Sequence, residues 1–180
     1  MGIAAQFRML SGYNAWANER ILDACAGLED AEYHKNRQAF FGSIHGTLNH
    51  ILLVQKLTID HIIVFDERWA EHWAGRDHEI TALDQILHDR LAPLATDQSA
   101  EDQLVVSLMT GYHDSDLDRD FTWLGLSGAQ RWLYMPHALE NFFLHQTHHR
   151  GQVHNMLSQA GVDPPPLDLY VFIEEERDGE

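Results

Sequence analysis

LHQTHHRGQVHNML, residues 144 to 157, sets four of the chain's thirteen histidines among leucine, valine and methionine. At 3.6 residues per turn His145 and His149 lie about 40° apart on one face, one turn above the other. Two imidazoles at that spacing can grip one divalent ion. Asn141, Gln152 and Met156 share the face, His148 sits on its flank and His154 points the opposite way, toward solvent. Arg150 leaves from the side and suits a carboxylate partner better than a metal. Pro136 fits the first turn of such a helix and Gly161 its C-terminal cap, while the prolines at 164 to 166 forbid continuation, so the spacing predicts a helix from about Pro136 to Ala160. After Gly161 the stretch PPPLDLY must fold back over this helix, which makes Asp168 the expected partner of Arg150. Histidines four apart also arise by chance in a chain so rich in them, and two ligands do not make a site.

A third ligand is sought in IHGTLNHILLVQKLTIDHIIVF, a second helical run from about Ser43 to Phe65, apolar around most of its circumference and therefore heavily buried. His50 shares a stripe with Thr47, Leu53, Val54 and Leu57. An imidazole on such a face needs either a hydrogen-bond acceptor, such as a backbone carbonyl, or an ion. Both readings stand on spacing alone. His45 lies far around the same helix, and His61 is about 16 Å further along it by helical rise, so neither can share an ion with His50.

The remaining segments complete an all-α bundle. Phe7, Leu10, Tyr13, Ala17, Ile21 and Ala24 recur at helical steps from about Ala4 to Ala26. ERWAEHWAGRDHEI suits a long connection holding a short helical turn. A third helix is expected from near Thr81 through Tyr112, kinked or interrupted at Pro93. Between Asp120 and Tyr134, FTW and RWLY bracket LGLSGAQ and predict a small β-hairpin before the last helix. With 180 residues and 44% aliphatic and aromatic side chains, one domain spanning residues 1–180 is expected.

Composition excludes several functions. Twenty-eight acidic against 12 basic side chains give a formal charge of −16, with no cluster of Lys and Arg to meet phosphates, so nucleic acid and anionic membrane are poor partners. The first residues lack the pattern of a signal peptide and no run of 18 apolar residues occurs, which makes a soluble cytoplasmic protein the expectation. Cys25 is the single cysteine, which excludes an intrachain disulfide or a thiolate-rich metal site, and its helical setting marks it as a core residue. No Glu precedes a His by three, HExxH is absent, and GLSGA is one residue short of a nucleophile elbow. GxGxxG and the P-loop are also missing.

Three blocks in order, YNAWANERIL, GSIHGTLNHIL and HQTHHRGQVHNMLSQAGVDPPPLDLYVF, resemble the DinB-like proteins over most of the chain. The resemblance implies a four-helix bundle of up-down-down-up topology, one divalent metal held by three histidines, and a homodimer. On this chain the matching positions are His50, from LNH, and His145 and His149, from HQTHH. Some relatives are thiol-dependent S-transferases or isomerases; others are stress-associated metal-binding proteins with no assigned reaction. A low-molecular-weight thiol is therefore the implied co-substrate and a small molecule the implied substrate. A metal-dependent hydrolase is the remaining alternative. Zinc or nickel is the expected ion, since imidazole ligands alone do not choose between them. VQKLTIDH follows the LNH histidine where relatives often carry an acidic residue and then a tryptophan, so substrate contacts in that stretch do not carry over.

Overall fold

The computed structural model describes residues 2–76 and 79–179. Four long helices form a bundle: α1 (Ile3–Cys25), α3 (Ile44–Phe65), α4 (Leu91–Gly111) and α6 (Met135–Gln159). Shorter elements are α2 (Asp30–His34), α5 (Asp114–Leu117) and α7 (Leu169–Asp178), with a 3-10 turn over Glu67–Trp73. Strands β1 (Asp120–Leu124) and β2 (Gln130–Tyr134) pair antiparallel, Thr122 opposite Trp132, in the predicted hairpin.

Neighbours along the helices give the direction of each. Phe7, near the start of α1, packs with Ile62 and Leu108, near the ends of α3 and α4, and with Phe143 from the first half of α6. Ile21 and Cys25, at the other end of α1, meet Ile44, Leu94 and Leu157. Thus α3 and α4 run against α1 while α6 runs with it: up-down-down-up. Two parallel neighbours need a return path as long as the helix, about 31 Å for the 21 residues of α4. That requirement explains the long connection from 66 to 90.

It also corrects the expected third helix. Residues from Thr81 to Arg90 are not helical, and α4 begins at Leu91, so Pro93 lies in the first turn, where a missing N–H costs nothing. No kink is needed there. The connection is held from the bundle side: the buried Asn49 accepts from the backbone N–H of Leu87 (2.8 Å) and His88 (2.9 Å) and donates to the carbonyl of His88 (3.1 Å). Arg76 reaches Asp60 (2.5 Å) and Glu101 (3.0 Å) from the same connection.

The two apolar clusters are separated by a polar layer across the bundle. Asp102 accepts from four amides, those of Asn14 (3.2 Å), Asn18 (2.9 Å), Gln55 (2.8 Å) and Gln98 (3.1 Å). Burial pushes its pKa up to about 6 in spite of these donors. Arg150, 2% exposed, closes the layer by donating to Asn14 Oδ1 (2.5 Å) and Asn18 Oδ1 (3.0 Å). The expected Arg150 to Asp168 pair is therefore wrong. Arg150 points inward, and Asp102 reaches it only through the two asparagines, because the tail leaves α6 for α1. Asp168 instead precedes α7, an element the periodicity did not reveal. Phe172 of α7 packs over Gly12, Tyr13 and Trp16, and Trp16 Nε1 donates to Glu175 (2.8 Å).

The ends of α6 form as the sequence predicts. Pro136 is in the first turn, and Gly161, at φ +78°, allows Val162 N–H to reach the Leu157 carbonyl (3.1 Å) and Gly161 N–H that of Ser158 (3.1 Å). Cys25 is buried in the cluster at the far end of α1 from Phe7, and burial raises its thiol pKa to about 12. Helix α3 has the length and hydropathy of a membrane span, but most of its apolar window is buried within the bundle.

Candidate metal centre

Helices α3 and α6 pack antiparallel, and their facing stripes bring His50, His145 and His149 together, with one ring nitrogen of each within 4.8 Å of the others. The Nε2 atoms of His50 and His145 are 3.2 Å apart. Two nitrogens each about 2.1 Å from a tetrahedral ion would be about 3.4 Å apart, so the spacing fits.

Hydrogen bonds choose the tautomers. Nδ1 of His50 lies 2.8 Å from the carbonyl of Leu83, which can only accept, so Nδ1 carries the proton and Nε2 the lone pair. Nδ1 of His149 lies 3.0 Å from Gln152 Oε1 and donates to it, leaving its other nitrogen free. Gln152 then donates through Nε2 to His148 (3.1 Å). Two of the three rings are thus oriented from outside by acceptors, the usual arrangement behind histidine ligands. Nδ1 of His145 is buried without a hydrogen-bond partner among the described residues.

All three imidazoles are held neutral. Burial is the largest cause in each case, and it lowers His50 and His149 below the ordinary histidine range. His145 falls to about 4, pushed further down by the neighbouring imidazoles of His149 and His50. Neutral rings are the form that can bind an ion. Phe41 stacks on His50 with ring centroids 3.8 Å apart, which fixes the ring plane. Gly46 makes that placement possible, because a side chain there would collide with the Phe41 carbonyl.

The histidines set aside on spacing stay apart. His45 bonds to the His88 carbonyl (3.0 Å), and His61 lies further along α3. His154 differs from expectation: the tail covers it, and its Nε2 meets the Pro165 carbonyl (3.2 Å). Of the two polar residues that share the face of His145 and His149, Gln152 orients the His149 ring, whereas Asn141 is exposed and lines a neighbouring chamber.

That chamber, 210 Å³ in volume, opens beside His145 between α3, α6 and the hairpin. Leu83, Phe121 and Trp123 are among its walls, and His61 stands at its other end. Sequence reasoning missed it, along with Leu83 and Phe41. A backbone carbonyl has no side-chain signature, and the aromatic hairpin residues read equally well as ordinary packing.

Fold and site together define a helical bundle protein with a three-histidine cluster able to hold a divalent ion. The chain belongs to the DinB family, whose model matches residues 4–179. It is similar to Protein DinB of Bacillus subtilis (strain 168), with 27% identity over 169 residues, covering 89% of this chain and 91% of that protein. No solved structure gives a significant match.

Proposed function

We propose that His50, His145 and His149 bind one divalent ion, zinc or nickel, and that the centre activates a low-molecular-weight thiol for attack on an electrophile, as an S-transferase or isomerase does. The observation that carries the reading is the 3.2 Å approach of the His50 and His145 Nε2 atoms, with the His50 lone pair turned inward by the Leu83 carbonyl. Three neutral imidazoles leave a coordination position open, and an ion held by them would lower the pKa of a thiol bound there, so that thiolate is present at neutral pH. The chain's own part is to keep the rings neutral by burial, to fix the tautomers through Leu83 and Gln152, and to hold a water-poor space beside them. That adjoining chamber favours turnover over metal storage, because storage needs no room for a second reactant.

The test is metal analysis of the purified protein followed by assay of a chloro-dinitroarene with glutathione, cysteine and coenzyme A. Metal-dependent loss of thiol supports the reading. Product release without thiol would replace it with a hydrolase, and a loaded protein inert in both assays would leave a metal-binding protein without turnover. The homodimer belongs to the same proposal, supported by Phe40 (86% exposed) and Leu144 (70% exposed), apolar side chains next in sequence to Phe41 and His145. Sedimentation as a monomer at micromolar concentration would remove it.

A further inference from the structure

The chamber beside His145 differs from its surroundings in charge. The chain carries −16 overall, yet among the described residues no Asp, Glu, Lys or Arg lines this space. Its walls are aliphatic and aromatic, with Val54 and Leu57 from α3, Phe121 and Trp123 from the hairpin, and Leu139 and Phe142 from α6. Polar groups occur at two places. At one end are His145 of the trio and Asn141, and on the α3 wall further along are Thr58 and His61. Burial lowers the His61 pKa, and the neutral ring offers one N–H and one lone pair.

We infer that the chamber is the binding site for the apolar body of the substrate, an uncharged molecule built on one or two rings, with its reactive end at the three histidines and a hydroxyl or N–H group hydrogen-bonded to His61. This rests on the trio being the reactive centre. Size and charge both select the ligand. A dry apolar cavity of about 150 Å³ accommodates benzene, and at 210 Å³ this chamber has room for a fused bicycle or a ring with a short tail. A carboxylate or ammonium group carried inside, away from the three histidines, would lose its hydration with no counter-charge on the walls, a cost of several kcal/mol that a neutral molecule avoids. The electrophile is thereby recognised by its shape and neutrality, which matches the uncharged wall and owes nothing to the acidic surface.

Calorimetric titration of the protein with 1-naphthol and naphthalene, and of the zinc-free protein with 1-naphthol and 1-naphthoate so that no ion can ligate the carboxylate, tests this. The neutral pair is expected to bind, and 1-naphthoate to bind at least about tenfold more weakly than 1-naphthol. Ala138→Phe and, separately, Thr58→Phe should each reduce 1-naphthol affinity by about tenfold or more while zinc content in the same sample stays unchanged. H61L should weaken 1-naphthol and spare naphthalene. Removing zinc with a chelator should leave 1-naphthol bound. Equal affinity for 1-naphthoate, undiminished binding in both filled variants, or loss of 1-naphthol binding on chelation would each overturn the inference. Zinc analysis keeps the two ideas separate: protein that takes up no metal sinks the metal reading, whereas metal-replete protein that fails to bind 1-naphthol sinks the chamber.

Discussion

Replacing Gln152 with Leu isolates the part of the centre that lies outside the three rings. In the native arrangement Gln152 Oε1 accepts from His149 Nδ1 at 3.0 Å and so keeps the proton off the nitrogen that must face the ion. Leucine has similar volume and no acceptor. The His149 ring can then adopt the tautomer that presents N–H inward, and rotamers that turn the lone pair aside. Loss of such an outer partner lowers metal affinity by about 10 to 100-fold, roughly 1.4 to 2.7 kcal/mol. The measurement is competition for zinc against a chromophoric chelator, with circular dichroism to show unchanged helicity. Q152E serves as the conservative control, since a carboxylate also accepts from Nδ1 and should restore affinity. H148A separates the two bonds that Gln152 makes, because it removes only the acceptor for the glutamine amide and should cost much less. Native affinity in Q152L, or an equal loss in H148A, would refute the assignment of the tautomer to Gln152.

H145A should abolish stoichiometric metal while leaving a folded bundle, since the half-buried ring contributes little to the apolar clusters; undiminished metal by mass spectrometry of the purified variant contradicts this. D102N should destabilise the chain by about 1 to 3 kcal/mol in urea, because all four partners of Asp102 are donors and an amide turns an N–H toward them. The carboxyl titrates near 6 in the folded chain, above its ordinary 3.8, so its contribution is complete below pH 3.8 and is lost as pH rises through 6. The wild-type advantage over D102N should therefore shrink between those two values, and a constant difference would show that the group is not perturbed. F172A should release α7, because burial of Phe172 against Gly12, Tyr13 and Trp16 is worth on the order of 3 kcal/mol and the exposed contacts of Glu175 add little. Limited proteolysis reads this as new cleavage between residues 161 and 169, and a resistant tail would count against it.

Helical periodicity placed α1, α3 and α6 to within a residue or two, and two of them carry boundary signals besides: Ser43 before α3, Pro136 and Gly161 around α6. It also placed His145 and His149 on one face, a consequence of the 3.6-residue repeat that no tertiary contact can alter. His50 was different. Its stripe required an interior partner, but whether a carbonyl or an ion would meet the ring is a matter of which helix packs opposite. The structure answers with both groups at once, the Leu83 carbonyl on Nδ1 and His145 facing Nε2. The start of α4 was illegible for a related reason: residues 81 to 90 have helical spacing, but the chain must return along the bundle and Asn49 captures its backbone in a non-helical form. Arg150 reads as a partner for Asp168 in the tail because local sequence does not report that α1 and α4 supply Asn14, Asn18 and Asp102 at the same height. Short-range steric and capping rules thus determined α1, α3, α6 and the pair of histidines on α6. The third histidine's partners, the polar layer and the chamber were decided only when four faces met, because each is made of groups far apart in the chain that interact only across the packed bundle.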